Sequence, residues 1–171
     1  MNYGCISPLY SLILSSDDKQ QKEPNLVSPY WVTGFSDAEA SFSVSIFKAK
    51  DRKTAWRIIP NFIILLHERD KILLEKINEF FKSKSNVEQL GSISIDKNGM
   101  VNYSVRSVKN LTNVIIPHFV KYPLLTKKQS DFLLFKSIVD LINKNEHLTD
   151  EGIIKIVSIK DLMNRGLSSE L

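Results

Sequence analysis

Residues 31–46 read Trp31-Val32-Thr33-Gly34-Phe35-Ser36-Asp37-Ala38-Glu39-Ala40-Ser41-Phe42-Ser43-Val44-Ser45-Ile46, and the hydrophobic period changes inside them. Up to Ala38 the pattern is helical, with Trp31 and Phe35 on one face and the small pair Gly34 and Ala38 on another. Just upstream, Ser28-Pro29 supplies a capping hydroxyl and a residue whose missing N–H costs nothing in a first turn. From Ser41 the period is two. Phe42, Val44 and Ile46 alternate with Ser41, Ser43, Ser45 and Phe47, as in a strand with one buried face. A helix over 29–38 therefore runs straight into a strand, with the acids Asp37 and Glu39 at the junction.

Downstream, a polar loop over 48–53 turns the chain back into a second strand, 54–67. There Trp56, Ile58, Phe62 and Ile64 share one parity, and Arg57, Ile59 and Asn61 the other. Pro60 inside it predicts a bulge or an edge. Asp70 is expected to cap a helix whose apolar positions are Ile72, Leu73, Ile77, Phe80 and Phe81. Strands over 87–95 and 100–108 follow, joined by Asp96-Lys97-Asn98-Gly99, whose Asn-Gly is a strong hairpin signal. Helices are expected over 110–120, 127–143 and 149–164, with Gly166 as the final stop. The order is αββαββα with added C-terminal helices. That predicts one α+β domain over 29–171, its single antiparallel four-stranded sheet covered by helices on one face and open on the other. Residues 1–28, polar and without period from Ser15 to Pro24, read as a flexible leader.

The open face would carry Ser41, Ser43, Ser45, Arg57 and Asn61. Such a twisted polar ribbon fits the major groove of DNA, and the same composition also suits an ordinary solvated sheet face. The charge is placed nearby. The whole chain has a net charge of +4. Lys48, Lys50, Arg52, Lys53 and Arg57 against Asp51 alone concentrate an equal excess in one hairpin. That suits a phosphate contact, or a solvated lysine-rich loop. The single cysteine, Cys5, excludes an intrachain disulfide and a cysteine-built zinc cluster. His67, His118 and His147 are scattered and read as surface or element-end residues rather than ligands. No apolar run reaches the ~18 residues of a membrane span. The short apolar stretch 8–15, with no basic residue before it, argues against a secretory signal. A bias towards Lys, Asn, Ile, Leu and Ser suits a gene in an AT-rich organelle genome.

The segment Val32 to Ala40 resembles the nine-position LAGLIDADG signature of homing endonucleases, with Gly34, Asp37, Ala38 and Glu39 in register. Ser41-Phe42 match its usual continuation. Phe119-Val120-Lys121-Tyr122-Pro123-Leu124 and the ending from His147 to Ser168 also resemble family segments, so the likeness spans about residues 28–170. It implies the LAGLIDADG fold, with a DNA-binding saddle on the open sheet face. It also implies Mg²⁺-dependent cleavage of double-stranded DNA at a long, near-palindromic site. By this resemblance Glu39 is the catalytic carboxylate and a metal ligand, the Ala40 carbonyl is a second ligand, and Asp37 is structural. Ser41, Ser43, Ser45, Phe47, Arg57, Ile59 and Asn61 are expected to read bases. Lys48, Lys50, Arg52, Lys53 and Lys97 are expected to grip phosphates.

Two departures from the family pattern stand out. Ala40 replaces the motif's final glycine, which narrows the available backbone angles. Ser107 stands where relatives often place a basic residue. Arg106 comes one position early, so it serves there only through a bulge. Only one motif is present, and two strands need two acids. A homodimer through Gly34, Phe35 and Ala38 is therefore expected, encoded by a mobile, mitochondrial intron. Two alternatives use the same scaffold: a splicing maturase bound to intron RNA, and an inactive structural subunit.

Overall fold

The computed structural model of the chain describes residues 27–50, 55–85 and 87–165. The leader, Arg52, Lys53 and Gly166 lie outside the described residues, apart from Val27 and Ser28. Ser28 starts helix α1 (Pro29–Glu39), its hydroxyl accepting the Trp31 N–H at 3.2 Å. Strand β1 (Ala40–Lys48) follows with no residue between. β2 (Trp56–His67) returns antiparallel to it, in register from Ala40 opposite Ile64 to Lys48 opposite Trp56. After α2 (Lys71–Ser83), β3 (Ser92–Ile95) and β4 (Met100–Val105) form the second hairpin. The sheet order is β1-β2-β4-β3, all antiparallel.

Pro60 is accommodated as an edge. The β1–β2 register passes it without a bulge, and β4 stops at Val105 opposite Phe62. Among the described residues, the half of β2 that holds Pro60 thus has a neighbouring strand on one side only, where a missing donor costs least. In the second hairpin, Gly99 takes φ +73°. The Asp96 carboxylate accepts the Asn98 and Met100 amides at 2.8 and 3.0 Å, closing the turn.

Beyond β4, α3 (Val108–Asn110), a π turn (Leu111–Ile115) and α4 (Ile116–Lys121) form one continuous helical rod. Pro117 explains the wide turn, because its ring removes a donor and crowds the carbonyl four residues back. Helices α5 (Lys128–Asn143) and α6 (Asp150–Arg165) complete the covered side. Phe42 lies at the centre, with the rings of Phe62, Phe119, Phe132 and Phe135 at 5.4, 5.3, 5.3 and 5.4 Å.

Several local expectations need correction. The second pair of strands is shorter than its alternation predicts, because partners from outside the ladder intervene. The Asn110 amide donates to the carbonyls of Gln89 and Leu90 at 3.1 and 2.8 Å, holding that stretch off the sheet. Ser107 ends the other strand by capping the next helix, its hydroxyl accepting the Asn110 N–H at 3.4 Å. Asp70 occupies the cap position of α2 without making a side-chain cap bond, since a 3₁₀ turn over Glu68–Asp70 leads in. In α2 the inward residue is Leu74, fully buried, whereas Ile72 is 66% exposed. His118 is not a surface residue. It is buried against Phe80, Phe81 and Phe119.

Candidate active site and nucleic-acid interface

The motif helix has two unlike sides. Inward, the Thr33 hydroxyl donates to the Tyr122 carbonyl at 3.1 Å, and its oxygen lies 3.1 Å from His118 Nε2. With the hydroxyl proton used, Nε2 is the donor in that second bond. Outward, Gly34 and Ala38 are exposed, and a Cβ added at Gly34 would meet nothing within 4 Å among the described residues. Phe35 is half-buried, its ring stacked on Trp31 at 5.1 Å. The three residues expected at a partner interface thus share the free side of α1.

At the end of α1 the two acids have different surroundings. The Asp37 carboxylate accepts the Leu125 and Thr126 amides at 2.8 and 3.0 Å, and the Thr126 hydroxyl donates to its other oxygen. Partial burial opposes ionisation, yet these bonds and the Lys128 charge together hold the Asp37 carboxyl below its usual value. Its bonds tie the end of α1 to the segment that precedes α5. Glu39 is exposed and sits at the last helical position. Ala40 has φ −82° and ψ 160°, extended backbone that any residue adopts, so the motif's glycine is replaced there without backbone strain.

Ser41 and Ser45 are exposed on the open side of β1. Ser43 is half-buried and donates to the Asn61 carbonyl at 3.4 Å. The ring of Phe47 lies 6.0 Å from the Arg57 guanidinium, and Ile59 is half-buried between Arg57 and Asn61 along β2. Asn61 sits deeper than its parity suggests, 9% exposed, and its Oδ1 has no partner among the described residues. Lys48 falls on the parity of Ile46, its ammonium 5.9 Å from the Trp56 ring, while Lys50 and Lys97 are exposed in the two hairpin turns. Arg106 follows β4 with no bulge in the strand. With Ser92, Ser104 and Ser107 it lines a depression of about 420 Å³.

Half of the open face escaped the sequence reading. Val101, Tyr103 and Val105 are buried under the helices, so by alternation Asn102, half-buried, and Ser104, buried, face the other way, joined through the β3 register by Ser92 and Ser94. The alternation in 100–105 carried that signal. Lys128 escaped too. Its ammonium donates to the carbonyls of Ser36 and Ala38, at 3.2 Å each. Burial lowers its pKa, opposed by the carboxylates of Asp37, Glu39 and Asp131. Among the described residues no group of three or more His, Cys, Asp or Glu gathers, and no helix is long and apolar enough to cross a membrane.

A family model described as LAGLIDADG endonuclease matches residues 32–139. A probable intron-encoded endonuclease of Neurospora crassa is 40% identical over 146 residues, covering 85% of this chain and 31% of that protein. Among solved structures, the LAGLIDADG homing endonuclease I-SmaMI bound to cleaved DNA is 40% identical with a TM-score of 0.76, over 84% of this chain and 46% of that one. The LAGLIDADG meganuclease I-CpaMI bound to uncleaved DNA is 41% identical with a TM-score of 0.74, over 84% and 46%. The chain thus spans about a third of that curated relative and just under half of the solved ones. Motif, sheet order and relatives agree over most of its length, and the chain belongs to the LAGLIDADG endonuclease family.

Proposed function

We propose that this chain is one half of a site-specific, Mg²⁺-dependent DNA endonuclease that makes a double-strand break when two such units pair. One observation carries the reading. Glu39 is the last residue of α1, and Ala40 opens the strand whose outer face holds Ser41, Ser43 and Ser45. A carboxylate is thereby held, without an intervening loop, at the foot of a polar ribbon of the kind that enters a major groove. Pairing uses the free side of α1 through Gly34, Phe35 and Ala38, with a second copy of this chain as the partner. The likeness to chains about twice as long supports a second unit of the same fold.

The donor chemistry suits magnesium. The Glu39 carboxylate and the Ala40 carbonyl are hard oxygens, and phosphate oxygens and water complete the set. When bound, magnesium activates water and neutralises charge on the leaving 3′ oxygen. The chain's own residues do the rest. Ser41, Ser43, Ser45, Phe47, Arg57, Ile59 and Asn61 read bases from β1 and β2, joined by Ser92, Ser94, Asn102 and Ser104 from the second hairpin. Lys48, Lys50, Lys97 and Arg106, with Arg52 and Lys53 beyond the described residues, hold the backbone. The intron-encoded relative and the organelle-like residue bias support a mitochondrial origin.

The test is Glu39→Gln, which keeps shape and removes charge. Cleavage should fall by about a thousandfold or more. Duplex binding should stay within about threefold, because the phosphate contacts remain. Mixed pairs of wild-type and variant chains should nick one strand. Cleavage by the variant at the wild-type rate would overturn the proposal. In competition binding, preference for intron RNA over the duplex would replace the nuclease reading with a splicing factor.

A further inference from the structure

α1 and α5 meet end to end, and each supplies the charge that the other's terminus favours. The carboxylate of Asp37 takes the amides of Leu125 and Thr126, just before α5 begins. The ammonium of Lys128, the first residue of α5, reaches back to two carbonyls of the last turn of α1, those of Ser36 and Ala38. α1 has no basic residue of its own in that turn. An anion at a helix N-terminus and a cation at a C-terminus are each stabilising, and here they are exchanged between helices about 90 residues apart. Lys128 lies among three carboxylates, those of Asp37, Glu39 and Asp131. Its two bonded carbonyls flank the residue that precedes Glu39 by one turn or less.

We propose that Lys128 is a positioning residue for the Glu39 carboxylate. By tying the carbonyls of Ser36 and Ala38 to α5, it fixes the direction in which the chain leaves α1, and hence where the Glu39 side chain sits over the sheet. The Asp37 contacts alone would anchor the helix end without orienting its last carbonyls. Arginine can make the same two bonds from its forked donors, whereas methionine keeps the stem and loses both. This inference rests on the nuclease reading for its catalytic consequence, while its structural half stands without it.

The experiment uses the full chain with Lys128→Met and Lys128→Arg, with Thr126→Val as a control that weakens the same helix junction but leaves the ammonium in place. The first readout needs no cleavage: hydrogen exchange of the Ala40 amide, which is bonded to the Ser36 carbonyl. In Lys128→Met that exchange should quicken about tenfold, the scale of one charge-assisted bond, and it should recover in Lys128→Arg. Thr126→Val should lower the melting temperature and leave Ala40 protected. The second readout is single-turnover cleavage on saturating duplex with Mg²⁺. It should fall about tenfold to a hundredfold in Lys128→Met, the scale of a small misplacement of a reacting group, and be rescued by arginine. Unchanged Ala40 exchange in Lys128→Met would overturn the proposal. So would intact cleavage at saturation with a salt slope lowered by about 0.9, which would make Lys128 a phosphate contact. If the wild-type chain cuts no duplex, the nuclease reading fails, and Ala40 exchange still decides the positioning role.

Discussion

Helices α1 and α2 both pack on the sheet, and they are built to opposite ends. The 13 residues of α2 bury Leu74, Ile77, Phe80 and Phe81, so this helix is held by apolar area. The 11 residues of α1 bury Val32, Thr33 and Ser36, and expose a glycine, an alanine and two aromatic edges. What holds α1 is specific rather than greasy: the Thr33–His118–Tyr122 contacts at its middle, and the Asp37 and Lys128 bonds at its end. A helix anchored by a few directional bonds leaves its outer side free for a partner and its last residue in a defined place. α2 supplies the stability that such an arrangement does not.

The sharpest way to break this contrast is to truncate one aromatic in each helix. Phe81 is fully buried, with Phe62, Phe119 and the His118 ring around it. Phe81→Ala should destabilise the fold by about 3–5 kcal/mol. Trp31 is 40% exposed. Trp31→Ala should cost about 1 kcal/mol or less in the unpaired chain. Urea unfolding of both variants tests this, and equal losses would mean that α1 is a core helix after all.

Next in size is the junction of the two helices, His118, which touches Thr33 of α1 and the rings of Phe80 and Phe81 of α2. Burial, reinforced by the charge of Lys84, lowers its pKa from 6.5 to about 4. Between those values the unfolded chain binds a proton that the folded one refuses. Stability from this group is therefore complete above pH 6.5 and is lost as the pH falls towards about 4, by at most about 3 kcal/mol. Comparing unfolding midpoints at neutral and acid pH with those of His118→Gln isolates the effect from that of the carboxylates. Matching pH dependence in the two proteins would show that the imidazole is hydrated.

The smallest effect is the most informative about α1. Since nothing among the described residues lies within 4 Å of a Cβ at Gly34, Gly34→Leu should not strain the unpaired chain. It should stabilise it slightly, by about 0.5–1 kcal/mol, because glycine is the poorer helix former. The same leucine should keep two α1 helices from close approach, so sedimentation should show the wild type as pairs, as proposed, and the variant as monomers. A variant that still pairs would move the partner interface off this side of α1.

Much of this was legible in the sequence because it is written in local periods. The change from 3.6 to 2 at Ser41, the Asn-Gly turn and the alternation through 54–67 dictate the αββαββα order, and the motif marks Glu39. What sequence alone left open depends on partners far along the chain. Asn110 delays the start of β3, His118 is buried by α2 and Thr33, and Lys128 closes on α1 from 90 and 92 residues away. The inward choice of Leu74 over Ile72 has the same origin. Both residues fit a helical apolar stripe, and only the direction in which α2 lies on the sheet decides which is covered. Periodicity states which side of an element is apolar; which polar groups meet across the fold is decided by packing, because hydrogen bonds are short and directional and the chain's local pattern does not encode them.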